Sequence, residues 1–206
     1  MAQQAVPTKG NLMATKKSLA LARVGFDLLD KKRNILIREM MALIDRASEI
    51  QKTIDDAFAH AYRALEKANI TLGFCDEIAK TIPIETSVQL DYRSIMGVEI
   101  PILSVNKELD IGLNYGLSNT NARLDEAVAL FANAKVLSVE LAEIENSVYR
   151  LAVSIKKTQK RANALKNIMI PKFEDDVKFI TDALDEKDRE EFSRLKVIKK
   201  QKAEKG

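Results

Sequence analysis

The sequence predicts a mainly α fold: a long antiparallel two-helix coiled coil with a small head that contains a short helix and a β-hairpin. Three observations carry this expectation. A seven-residue apolar repeat fills the first third of the chain, the same repeat returns in the second half, and the stretch between them is richer in glycine and proline than either. Composition agrees, since 206 residues hold only seven glycines and four prolines, with 46% hydrophobic and 31% charged content. Such a chain is helix-rich and has too much apolar surface to stay disordered.

Stepping by seven from Leu12 meets Leu19, Phe26, Arg33, Met40, Ala47, Ile54, Ala61 and Ala68, of which Arg33 alone is polar. The row three residues on is Thr15, Ala22, Leu29, Leu36, Leu43, Ile50, Ala57 and Ala64. This 3-4 alternation marks a helix whose seam faces a partner helix throughout. Residues 1–72 are therefore assigned to the N-terminal coiled-coil helix. Roughly 60 helical residues span about 90 Å, against a radius of gyration of about 17 Å for a compact globule of this length; the expectation is a rod.

The second helix, in residues 118–206, repeats Ala127, Ala134, Leu141, Val148, Ile155, Ala162 and Met169, with Leu130, Leu137, Ile144, Leu151, Thr158 and Leu165 between them. Its helical part is expected over residues 119–202, with Asp125 and Glu126 complementing the positive end of its dipole. After Met169 the apolar positions are Phe173, Val177, Ile180, Leu184, Phe192, Leu195 and Ile198. The consecutive four-residue steps predict a local loosening of the supercoil, and Pro171 a kink.

Residues 73–117 form the head. A short helix is expected over residues 71–80, ending before Pro83. Val88, Leu90 and Tyr92, and then Val98, Ile100 and Ile102, alternate with polar residues and predict a hairpin that turns between Arg93 and Gly97, with Pro101 on an edge. A head of this size reverses the chain and sends both termini to the same end.

Charge divides accordingly. Residues 1–33 carry seven basic side chains against two acidic, and residues 194–206 six against one, while the head carries three against seven. One end is expected to be basic and the other acidic, each selecting different partners. Nucleic acid fits the basic end poorly, because no aromatic platform accompanies the lysines.

Catalytic motifs are absent. There is no phosphate loop, no H-E-x-x-H and no C-x-x-C, and no cofactor or metal is expected. His60 reads as a helix-flanking polar residue, Cys75 as a small packed side chain, and the acidic runs at 174–176 and 185–191, which alternate with lysine and arginine, as solvated helix faces. Arg33 either snorkels out of the coil or fixes its register. The single cysteine, the absence of an 18-residue uncharged apolar run and an N-terminus without an apolar core lead to the expectation of a soluble, cytoplasmic, non-secreted chain.

Three stretches carry a family resemblance. Pro7-Thr8-Lys9-Gly10-Asn11-Leu12, continued by the run from Ala22 to Arg33, resembles the N-terminal pattern of the D subunit, the central axle of the V-type and A-type rotary ATPases. The run from Lys160 to Leu165 with Ile170-Pro171 and Phe192-Ser193-Arg194-Leu195-Lys196 is similar to its C-terminal signature, and Ile95-Met96-Gly97-Val98 with Pro101 to its hairpin. The resemblance implies a non-catalytic rotor component, one copy per complex, that transmits torque between the catalytic ring and the membrane ion-carrying ring. It thereby couples ATP hydrolysis or synthesis to H⁺ or Na⁺ transport.

The implied partners are the A, B and F subunits and the funnel component called C or d, with the chain peripheral to the membrane through the complex. The expected contacts with the A/B ring are Thr8, Lys9, Leu12, Lys16, Lys17, Arg194, Leu195, Lys196 and Ile198; those with the F subunit are Ile95, Met96 and Val98. The competing readings are a prefoldin-like chaperone, whose tips would expose apolar residues to clients, and a homodimeric coiled-coil scaffold.

Overall fold

Helix α1 runs from Lys9 to Leu72, 64 residues, in the computed structural model, which describes residues 6–82, 86–105, 115–116 and 120–204. Thr8 starts it. Its hydroxyl accepts the Asn11 N–H at 3.2 Å, satisfying one of the amides that the first helical turn leaves without a partner. Gly73 ends it in the left-handed region, with φ 78°, and its N–H donates to the Asn69 carbonyl at 2.9 Å, a glycine stop that a side chain would strain. The short helix expected over 71–80 is consequently divided: Thr71 and Leu72 complete α1, and α2 occupies only Asp76–Ala79.

Strands β1 (Gln89–Ile95) and β2 (Val98–Ser104) pair antiparallel from Gln89↔Ser104 to Ile95↔Val98 without a bulge. The turn is tighter than the sequence suggests. Only Met96 and Gly97 lie between the strands, with φ 51° and 75°, the paired left-handed residues of a two-residue turn matched to strand twist.

Helix α3 (Ala122–Ala164) passes through a π-helical turn at Leu165–Met169 into α4 (Ile170–Glu204). Asn121 caps α3, its side-chain oxygen accepting the Leu124 N–H at 3.1 Å. The π turn lies immediately before Pro171. A proline ring clashes with the carbonyl four residues back and supplies no N–H, and one wide turn accommodates both defects. The four-residue steps read from the sequence fall at this place.

Pro83, Glu85, Lys107, Glu108, Asp110, Asn119 and Lys205, which entered the sequence expectations, lie outside the described residues. The chain forms two units, one of residues 1–34 with 156–206 and one of residues 35–155. In the first, Ala22, Ala162 and Ile180 are buried. Arg33 does not simply leave the seam: its guanidinium donates to Gln159 Oε1 at 2.7 Å and meets Asp30 at 2.7 Å. Arg23 reaches Glu174 at 2.7 Å, with both side chains about half exposed, so this pair orients more than it stabilises.

In the second unit, alanines fill the seam: Ala61, Ala64 and Ala68 on α1, Ala127 and Ala134 on α3, all buried. Phe131 meets Tyr62 edge-on at 5.4 Å beside them, and Arg46 pairs with Glu140. Two clusters flank this stretch. Ala68, Cys75, Tyr115 and Leu124 form one, and Leu36, Ile100 and Leu151 the other.

Tyr115 donates its phenol to Asp125 Oδ1 at 2.6 Å. Burial, this hydrogen bond and the nearby negative charge raise its pKa from 10.0 to about 12, because each disfavours the phenolate. The unfolded phenol ionises first, so its contribution to stability is complete below about pH 10 and is lost as pH rises towards 12. Ultraviolet titration should show one of the four tyrosines ionising late, and Tyr115→Phe should remove that late component.

Candidate functional site

The basic end is built from the start of α1 and the end of α4. Thr8, Lys9, Lys16 and Lys17 are exposed and Leu12 is half-buried against the coil. On α4, Arg194 donates to Glu190 at 3.3 Å, and Leu195, Lys196 and Ile198 are exposed.

The two groups do not stand side by side. Arg23 meets Glu174 and Arg33 meets Gln159 across the antiparallel pair, so the first residue of α1 falls level with roughly residues 183–188 when both helices advance about 1.5 Å per residue. The last 16 to 21 or so residues of α4, roughly 24–32 Å, extend past α1. Every described residue from Asp185 to Ala203 is exposed. Phe192, Leu195 and Ile198, which the repeat extended along the seam, are 71%, 64% and 48% exposed because no α1 residue lies opposite. Val197 joins them. The end is therefore mixed, with bare apolar side chains among the lysines.

A shallow depression of about 490 Å³ on this segment is lined by Lys196, Val197, Lys199, Lys200 and Ala203. All five belong to one helix, so it has no opposing wall with which to enclose a small ligand. Among the described residues no cluster of three metal-ligating side chains occurs, and no helix is long and apolar enough to cross a membrane.

The hairpin forms the second candidate surface. Ile95 and Val98 pack against the Leu36–Ile100–Leu151 cluster, which spends their apolar surface inside the unit. Met96, in the turn, is 48% exposed. The edge of β2 lies against α3: Glu143 Oε2 accepts the Leu103 N–H at 2.7 Å, and Arg150 donates to the Glu99 carbonyl at 3.2 Å. Between those two residues stands Pro101, which has no N–H to satisfy. Arg150 also lies 5.5 Å from the centre of the Tyr92 ring, a cation–π contact. Leu90 and Tyr92, on the other strand, are half exposed. At the α1–α2 corner, Ile70 and Phe74 are 83% and 97% exposed, a pair that the sequence pattern did not single out.

Comparison with known proteins places the chain in a family. The family of ATP synthase D subunits matches residues 11–200. The V-type ATP synthase D subunit of Thermotoga neapolitana is 43% identical over 199 residues, covering 96% of this chain and 98% of its own length. The A-type ATP synthase D subunit of Methanobrevibacter smithii is 36% identical, over 94% of this chain and 85% of its own, and that of Thermococcus kodakarensis 34%, over 94% and 92%. With a family match across nearly the whole chain and relatives well above 30% identity, this chain belongs to the D-subunit family of V-type and A-type ATP synthases.

Proposed function

We propose that the chain is the non-catalytic central-stalk rotor of a V/A-type rotary ATPase, carrying torque between the A/B ring and the membrane ion-carrying ring and so coupling ATP hydrolysis or synthesis to ion transport. The observation that carries this reading is the seam. From Leu12 to Ala68, no residue of the two heptad rows on α1 is exposed, so twisting or sliding the paired helices would uncover apolar surface at every turn. In this reading ATP chemistry belongs to neighbouring subunits, consistent with a chain that carries no phosphate loop.

A single shaft presents a different side-chain surface to each catalytic interface of a threefold ring. Nucleotide affinity at each site then depends on shaft angle, and by reciprocity nucleotide binding and release bias that angle. The ring-facing residues in this reading are Thr8, Lys9, Leu12, Lys16 and Lys17 on α1 and Arg194, Leu195, Lys196 and Ile198 on the extended end of α4.

The hairpin is the surface for the F subunit. Met96 supplies the contact, and Ile95 and Val98 hold it from beneath. A methionine at φ 51° occupies a position where asparagine or glycine is usual, and strain of this kind accompanies functional contacts. The opposite end of the head docks on the funnel component.

The test is charge reversal of Lys16, Lys17 and Lys196 together in the complex assembled with the A, B, F and funnel components. All three are exposed, so the fold should be unchanged while ATP-driven rotation loses its coupling to ion transport. Intact rotation and transport would remove the ring assignment, and failure of A and B to retain the parent chain would remove the rotor reading itself.

A further inference from the structure

The hairpin has one closed edge and one open edge. In an antiparallel ladder, residues facing each other alternate between pairs that exchange hydrogen bonds and pairs whose N–H and C=O groups point away from one another. On β2, Glu99 and Leu103 direct backbone groups outward, to Arg150 and Glu143 of α3. Their partners across the ladder, Ser94 and Leu90, and Tyr92 opposite Pro101, must therefore point their own N–H and C=O groups outward from the far edge of β1.

No described residue meets those groups. Every β1 residue from Gln89 to Ser94 is exposed, and the strand contains no proline or bulge; the charges that would ordinarily protect an edge are one acid and one base, Asp91 and Arg93, so they repel a second copy only in a register that sets like charges opposite each other.

The side chains of this edge are complementary to themselves. Asp91 and Arg93 lie on one face of β1, on either side of Tyr92, and neither has an ion-pair partner among the described residues. If a second β1 approaches antiparallel with Tyr92 on the two-fold axis, Asp91 of each strand stands opposite Arg93 of the other. Leu90 then stands opposite Ser94.

The outward groups of Leu90, Tyr92 and Ser94 form the hydrogen-bonded pairs of the new ladder. Asp91 and Arg93 consequently fall in the non-hydrogen-bonded register, where side chains are closest. On the other face, Leu90 and Tyr92 of the two strands make one apolar strip. Because α3 hydrogen-bonds the outer edge of β2 and meets β1 on its faces, at Tyr92 and Ile95, rather than along its outer edge, two hairpins can join in the order β2–β1–β1–β2.

We propose that the open edge of β1 docks a second copy of this chain, giving an isologous dimer through a four-stranded antiparallel sheet. This goes beyond the rotor reading: one copy serves each assembled complex, so the pairing belongs to the chain outside it. Two short strands bury little surface, and the dimer is weak, with a dissociation constant of about 10–500 μM.

Sedimentation and light scattering of the full chain should show a concentration-dependent dimer in that range. Asp91→Arg, which sets arginine against arginine at both contacts, should raise the dissociation constant at least about tenfold, and Asp91→Arg with Arg93→Asp should return it to within about threefold of the parent. Ser94→Pro removes only an outward N–H and should abolish dimerisation while the hairpin persists. Amide exchange should slow at Leu90, Tyr92 and Ser94 as concentration rises, and stay unchanged at Asp91 and Arg93, already bonded within the hairpin. A chain monomeric up to about 1 mM would overturn the proposal. So would a dimer indifferent to these substitutions, or one held by another protein's strand and not by its own copy.

Discussion

Leu151→Ala is expected to destabilise the unit of residues 35–155 by about 3 kcal/mol, within the 2–5 kcal/mol usual for emptying a packed leucine site. Leu151 and Leu36 are 0% exposed and Ile100 1%, so three fully enclosed side chains from α3, α1 and β2 share one site. A two-stranded hairpin is barely stable alone. This one holds its place through that site and through Glu143 and Arg150 on its edge. Urea unfolding should report the loss, and amide protection in β2 should fall with it. The same truncation at Leu195, which is 64% exposed, should change stability by less than about 0.5 kcal/mol. Equal losses at the two leucines would show that the hairpin does not depend on this cluster.

Ending the chain after Arg189 should leave the fold intact and remove the proposed coupling. The deleted described residues through Ala203 are all exposed, so unfolding should shift by less than about 1 kcal/mol. In the assembled complex the loss of Phe192, Leu195, Val197 and Ile198, exposed apolar side chains that the proposed ring contact would bury, should lower ATP-driven ion transport at least about tenfold. A truncated chain that drives transport at the parent rate would remove this segment from the proposed ring contact. A truncated chain that unfolds would show that these residues pack more than their exposure indicates.

The helices were legible because their cause is local and periodic. Leu12 to Ala68 repeats a 3-4 spacing that only a long, one-sided helix can bury, and the π turn was foreshadowed by the four-residue steps beside Pro171. The hairpin was legible from alternation and Gly97, but its turn was placed too wide, since Met96 in a left-handed conformation has no signature in composition. Cys75 was read as a packed side chain and is buried.

Axial register was not legible. Both helices repeat every seven residues, so sliding one past the other by whole heptads leaves the pattern unchanged. The reach of α4 past α1 depends on contacts such as Arg23 with Glu174 and Arg33 with Gln159, which are far apart in sequence. The same holds for the sites. The sequence marked a lysine-rich end and an Ile-Met-Gly-Val turn, but it could not tell that Ile95 and Val98 face inward while Leu90 and Tyr92 face out. A strand's two faces are set by its period, and which face is buried is set by what packs on it. The amino-acid order by itself determined the elements, their pairing and the charge at each end, because each is a one-dimensional pattern. Tertiary structure alone decided the register, the bare end of α4 and the closed and open edges of the hairpin, because each depends on groups that become neighbours only when the chain folds back.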